Sequence, residues 1–272
     1  TGFSQWDMMQ KIRFQPNDHL YFIGNLQFSS STDVPRYDRL TALNNESDPR
    51  SLRFSEWHYG PQKRLMASLK TRILHQNNFF DKGTIIASFQ KIDEDRLSRR
   101  RDRHATAFNL EDVYVYALTG DFDKEIGTDS RLTLTYGFDL NHNDVNSRSG
   151  TKDKDNGLLN YSEPTRYPAG GSSMTSMGAY ATARWMSRDS VLNLDAGLRY
   201  SQVELLAVFN DTIIQWPLDY QRGIRSTNSA MTYGFGATVK TRDQWEIRLM
   251  GASAFRAPNI DELFREPTAQ PG

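Results

Sequence analysis

The chain has 272 residues, of which 38% are hydrophobic and 24% charged, with 33 basic side chains balanced by 33 acidic ones. That balance excludes a basic nucleic-acid binder, and the absence of cysteine excludes disulfides and thiolate metal sites. No run of about 18 apolar residues is present, so no transmembrane helix is expected, and residues 1–5 show neither the basic nor the apolar region of a signal peptide.

In chain order, segments 7–16 and 20–28 open a two-residue alternation, the second placing Leu20, Phe22, Leu26 and Phe28 on one parity. Leu65, Ala67, Leu69, Thr71 and Ile73 repeat it after a long connection, and 84–96 carries it more weakly. Tyr114, Tyr116, Leu118 and Phe122 follow. The clearest copy spans 130–142, where Leu132, Leu134, Tyr136, Phe138 and Leu140 oppose Arg131, Thr133, Thr135, Gly137 and Asp139. Successive strand side chains point to opposite faces, so this is a strand with one apolar and one wet face; a helix would put Leu132 and Leu134 about 200° apart. After a weaker segment at 175–186, Leu192, Leu194, Ala196, Leu198 and Tyr200 oppose Asn193, Asp195, Gly197 and Arg199. Met231, Tyr233, Phe235, Ala237 and Val239 do the same, and 245–255 completes a set of about ten strands.

Strands in globular proteins usually have about 5–6 residues, whereas a tilted strand crossing a bilayer needs about 9–11. These segments are of the longer kind. Short connections alternate with long ones at about 29–62, 97–109, 143–174 and 204–229, the pattern of periplasmic turns and extracellular loops. Trp185, Trp245 and Phe122 then fall at the periplasmic ends of their strands, as an interfacial aromatic girdle requires. The expected fold is all-β, a transmembrane antiparallel barrel, closed because a bare strand edge in hydrocarbon leaves backbone N–H and C=O groups unpaired. Both chain ends fall on the extracellular side of this count, so the chain is expected to be an internal piece of a bigger barrel.

The run Phe255, Arg256, Ala257, Pro258, Asn259, Ile260, Asp261, Glu262, Leu263 closely resembles the barrel motif of TonB-dependent outer-membrane receptors. Segments 34–40 and 59–62 are similar to stretches of the haem/haemoglobin-receptor-like branch of that family. The resemblance implies a barrel of about 22 strands with a plug domain in its lumen. It also implies a Gram-negative outer membrane, contact with lipid and lipopolysaccharide, and coupling through the plug to the TonB energy-transducing complex. Cargo in such receptors is a ferric siderophore, haem, cobalamin or a glycan, with an iron chelate or haem foremost here. The sequence shows neither a plug nor a TonB box, so the plug domain is absent from this chain. No cofactor, no enzyme activity and no nucleic-acid partner are expected.

Among charged residues, Arg99, Arg100, Arg101 and Arg103 beside His104 form a cationic cluster that suits anionic chelates or haem propionates, or else lipopolysaccharide phosphates or solvent. His58, His104 and His142 lie in or beside long loops, and with Tyr59 and Tyr161 they are the candidates for an axial haem ligand, each set against ordinary polar surface. The ligand-binding candidates are Arg99, Arg100, Arg101, His104, His58 and Tyr59. Asp153, Asp155 and Asn156 do not fit an EF-hand, because Gly157 comes one position too late. Arg131, Asp139, Asp195, Arg199, Glu246 and Arg248 fall on the lumenal parity, facing a plug or water. Two rivals are an omptin-like outer-membrane protease built on Asp93-Glu94-Asp95 and Asp102-Arg103-His104, with His104 as base, and a soluble all-β glycan-binding module.

Overall fold

Each strand marked by the alternation pairs antiparallel with the next such strand. The computed structural model describes residues 2–127, 131–161, 163–210, 215–240 and 245–259. In chain order the elements are β1 (Gln5–Asn17), β2 (Leu20–Ser31), β3 (Val34–Pro35), α1 (Tyr37–Leu40), β4 (Phe54–Tyr59), β5 (Lys63–Leu74), β6 (Lys82–Arg100) and β7 (Ala105–Ile126). They continue with β8 (Leu132–Asp153), β9 (Leu159–Asn160), β10 (Ser172–Met186), β11 (Leu192–Ala207), α2 (Leu218–Arg222), β12 (Ile224–Lys240) and β13 (Glu246–Ala252). All 13 strands form one sheet, whose main path is the meander β1-β2-β5-β6-β7-β8-β10-β11-β12-β13. The short strands β3, β4 and β9 attach to it at the end that carries the long connections.

Register keeps the apolar parity on one face from strand to strand. Leu118 pairs with Leu140 and Leu140 with Met177; Leu194 pairs with Ala237 and Ala237 with Leu249. This face has no protein layer against it, for Leu198 remains 49% and Phe235 58% exposed. Among the described residues the buried apolar side chains are Phe108, Leu205, Ala207 and Phe209, all toward the long connections. A sandwich would bury the alternating leucines instead. The apolar surface therefore faces hydrocarbon, and the opposite, polar face lines the lumen.

Aromatic rings close the gaps left by glycines on this lipid face. Phe122 lies over Gly83, Phe138 over Gly120 and Phe235 over Gly251, each ring directly opposite its glycine in the register. Phe122 also stacks on Tyr136 at 5.5 Å, and Trp185 and Trp245 sit at the same short-turn end. Asn and Asp side chains form the short turns by accepting backbone N–H groups: Asn17 from His19 at 2.9 Å, Asn77 from Phe79 at 2.8 Å and Asp189 from Val191 at 3.1 Å.

β6, β7 and β8 exceed the span of a bilayer, with 19, 22 and 22 residues. Crossing hydrocarbon takes about 9–11, so roughly half of each strand stands beyond it. Strand pairing thus takes up most of the connection expected at 97–109, leaving only 101–104 between β6 and β7, and it carries β8 as far as Asp153. Polar residues on both faces of these upper halves erase the alternation that marks the lower halves.

Candidate functional site at the mouth of the wall

β4 and β5 both pair with β6, one above the other, as a single strand broken at residues 60–62. Tyr59 pairs with Arg96 but Lys63 with Asp93, so one extra residue is accommodated here, and the side-chain parity reverses across the break. Gly60 makes the bend with φ of 96° and donates its N–H to the Asp95 carbonyl at 2.7 Å. The reversal turns Trp57 and Tyr59 onto the lumenal face, in line with Ser98 and Arg96.

Arg36, at the end of β3, joins them. Its backbone N–H donates to the Trp57 carbonyl at 3.0 Å, and its guanidinium lies 4.8 Å from the Trp57 ring centre and 5.8 Å from that of Tyr59. It also donates to the Tyr59 hydroxyl at 3.2 Å and forms a two-pronged pair with Asp38, whose carboxyl it holds below the usual range. The result is a fixed aromatic and cationic plate at the lumenal mouth, with Arg96 beside it. The Trp57 and Tyr59 rings meet edge to face at 5.0 Å with an interplanar angle of 87°, so the plate is an aromatic corner beside guanidinium groups, which suits a delocalised anion.

Across the wall, Leu205 and Ala207 alternate onto the lumenal face and are buried there, and Phe209 continues the row. Phe209 packs against Trp216 at 4.7 Å and Tyr220 at 5.5 Å, while the connections before β10 and after β11 pair through Gly170 and Val208. Ser147, Ser149 and Ser172, on the same lumenal parity, are buried as well. Below them, lumenal charges pair with one another: Arg199 with Asp139 at 2.7 Å, Arg184 with Asp195 at 2.7 Å and Arg248 with Glu246 at 2.6 Å. Tyr180 donates to Asp121.

The sequence candidates are only partly brought together. Arg99 and Arg100 are neighbours in a strand and so point to opposite faces. Arg99 lies on the lipid-side parity, donating to Glu56 at 2.9 Å, and this bond, with a second from Thr106, keeps the Glu56 carboxyl below its usual range against the cost of burial. Arg100 is on the lumenal parity opposite Phe54. Arg101 and His104 occupy the turn, where His104 meets Asp155 at 2.6 Å. His58 points away from the lumen, 3.6 Å from Asp33, and Tyr59 is the candidate that enters the plate. Asp153, read against a calcium loop, accepts the backbone N–H groups of Asp155 and Asn156. Phe255, Arg256, Ala257 and Pro258 follow β13, and residues 260–263 of that motif lie outside the described residues.

The protease pairing does not form either. Asp95, the nearest of the three acids, pairs with Leu110, and six positions along the chain separate Leu110 from His104, about 20 Å. Sequence reading missed Arg36, Trp57 and Arg96. Trp57 and Tyr59 carry the one available sign, a two-residue alternation of rings inside an apparent loop.

The sequence matches the family "TonB dependent receptor-like, beta-barrel" over residues 9–272. Among solved structures, the copper transporter OprC is similar with a TM-score of 0.67 at 11% identity, over 89% of this chain and 35% of that one. The ferric citrate transporter FecA gives 0.59 at 14% identity, over 90% and 35%. The siderophore receptor PiuA from Acinetobacter baumannii gives 0.54 at 12% identity, over 88% and 40%. The chain therefore spans little more than a third of the length of these structures. No curated protein matches the sequence.

Proposed function

The chain belongs to the TonB-dependent receptor family, whose barrels lie in the Gram-negative outer membrane, and from that membership we propose that it serves active uptake of an iron chelate. The family transports and does not catalyse. The observation that carries the finer reading is the plate of Arg36, Trp57 and Tyr59 on the lumenal side of the mouth. With the Arg36 charge engaged by Asp38, it offers aromatic surface beside the Arg96 guanidinium opposite Tyr59, which fits the delocalised, anionic ligands that wrap ferric iron. In this reading the long connections are extracellular, the upper lipid-side face contacts lipopolysaccharide, and a plug domain outside this chain engages TonB.

Two of the three transporters resembling the wall carry iron chelates by their names, ferric citrate and a siderophore, which agrees with this choice. The same two names favour a siderophore-type chelate over haem; of the axial candidates only Tyr59 stands at the plate, since His58 faces away from the lumen, His104 is paired at the tip and His142 bonds Thr175.

The test is uptake of radio-iron by cells carrying the complete receptor, supplied as ferric citrate, a ferric tris-catecholate or haem. Uptake of a siderophore-type chelate is expected, dependent on TonB and about tenfold weaker in half-saturating concentration for Trp57→Ala, since one well-desolvated cation–π and stacking site is worth about 1–2 kcal/mol. Failure of cells carrying the receptor to take up any of the three forms in a TonB-dependent way overturns the reading.

A further inference from the structure

Two imidazoles meet at the short-turn end of the wall. His19 closes the turn between β1 and β2, and His75 opens the one between β5 and β6. Their strands are neighbours, for β2 pairs with β5 from Leu20 and Ile73 upward, and the Leu74 N–H extends that pairing by donating to the His19 carbonyl at 2.8 Å. The ring centres stand 6.0 Å apart at an interplanar angle of 76°, and both residues are exposed. They lie past the end of the paired rows, outside the part of the wall that crosses hydrocarbon.

Each ring is carried on a fixed frame. The His19 backbone N–H donates to the Asn17 side-chain oxygen at 2.9 Å, and its ring Nδ1 lies 2.9 Å from the Leu74 carbonyl. A carbonyl only accepts, so Nδ1 carries the proton and Nε2 keeps its lone pair, the arrangement that orients metal-binding histidines. His75 donates its backbone N–H to the Asp81 carbonyl at 3.2 Å. The Asp81 side chain is itself held by Lys124 and by the Glu125 N–H, both at 2.7 Å. Neither His19 Nε2 nor either ring nitrogen of His75 has a protein partner among the described residues.

An ion about 2.1 Å from one nitrogen of each of two imidazoles sets the ring centres about 5–6.5 Å apart, over angles from tetrahedral to linear. The observed 6.0 Å falls in that window. We propose that His19 and His75 form a site for an exchangeable divalent transition ion of the zinc and copper class, which clips the β1–β2 turn to the β5–β6 turn. Imidazole suits these ions, whereas ferric iron in a chelate is held by oxygen, so the site stands apart from the iron-chelate reading. No group of three or more metal-ligating side chains occurs among the described residues, so water completes the shell and the ion comes and goes. Rings already held in place lose little freedom on binding it.

The experiment is hydrogen exchange on the complete receptor in lipid vesicles, with and without Zn2+. Openings that separate the two turns should become about tenfold rarer at ten times the dissociation constant of the ion, so exchange at 19 and 74–75 should slow by that factor. Exchange in the turn at 187–191, which contains no histidine, should not change. His19→Gln and His75→Gln should each abolish the slowing, and the double variant should do no more than either alone. His19→Asn or His75→Asn replaces a variant that assembles poorly. Wild-type exchange unmoved by Zn2+ overturns the site, including the case in which another part of the receptor covers these turns. Slowing that extends to 187–191, or that survives in either variant, overturns the pair as well.

Discussion

Tyr180 lies directly across from Gly137, with its hydroxyl 2.7 Å from where a Cβ on that glycine would sit. Ring and missing side chain occupy one space. Gly120 is under the same constraint from Phe138 on the lipid face, at 2.5 Å. Alanine at either position should destabilise the barrel by about 1–3 kcal/mol through overpacking. Gly24→Ala, with nothing within 4 Å, should be neutral within about 0.5 kcal/mol. Urea unfolding of the complete receptor in lipid vesicles measures all three, and equal effects at Gly24 and Gly120 would refute the packing argument.

Two carboxyls above the membrane respond oppositely to pH. Glu56 is held low by Arg99, so its contribution is present above its ordinary value of 4.5 and is lost as pH falls through the lower folded value. Glu56→Gln should loosen β4 at pH 7 by ~0.5–1 kcal/mol, the pair being partly solvent-screened, and should do nothing once the carboxyl is protonated. Asp95 is held high by burial and by Asp112 and Asp93, so its folded form favours the proton. That stability is full below its ordinary value of 3.8 and disappears as pH rises through the folded one. Asp95→Asn should therefore stabilise at pH 7, with the gain fading in acid. Hydrogen exchange at 54–59 and 93–97 across pH 3–7 reads both, and parallel trends would be the wrong outcome.

The two faces of β8 should tolerate charge unequally. Leu134→Arg places a guanidinium in hydrocarbon and should cost about 2–4 kcal/mol if it lies near the bilayer midplane. Thr135→Arg, one residue on, faces the wet side and should cost less than 1 kcal/mol. Refolding yields into vesicles compare them directly.

Gly60 sets the plate without touching cargo. Its φ of 96° is strained for any side chain, and a Cβ there would come 3.0 Å from the Gln62 nitrogen. Gly60→Ala should leave the unfolding midpoint of the barrel nearly unchanged while raising exchange at 54–59 and weakening chelate binding about as much as Trp57→Ala. Normal binding and unchanged exchange at 54–59 would show that the bend is not what orients the rings.

The membrane-crossing part of the fold was legible because solvent changes at every residue there: Leu132 to Leu140 meet oil while Thr133 to Asp139 meet water. Above the bilayer both faces of β6 to β8 are wet, so Arg96–Arg100 and 143–153 carry no period and read as loop. The break at 60–62 hid β4 for a different reason, since a reversed parity does not add to the pattern of β5. Arg99 to Arg101 suggested a single patch because adjacency in sequence looks like adjacency in space, which a strand forbids. Arg36 and Trp57 are joined only by the pairing of β3 with β4, a relation between distant residues that no local pattern records.

β8 runs unbroken from Leu132 to Asp153, hydrogen-bonded to β7 along its whole length. A ribbon held in that way behaves as a stiff mast, and His104 and Asp155 at its top travel with its base. Such a mast cannot bend down over the opening.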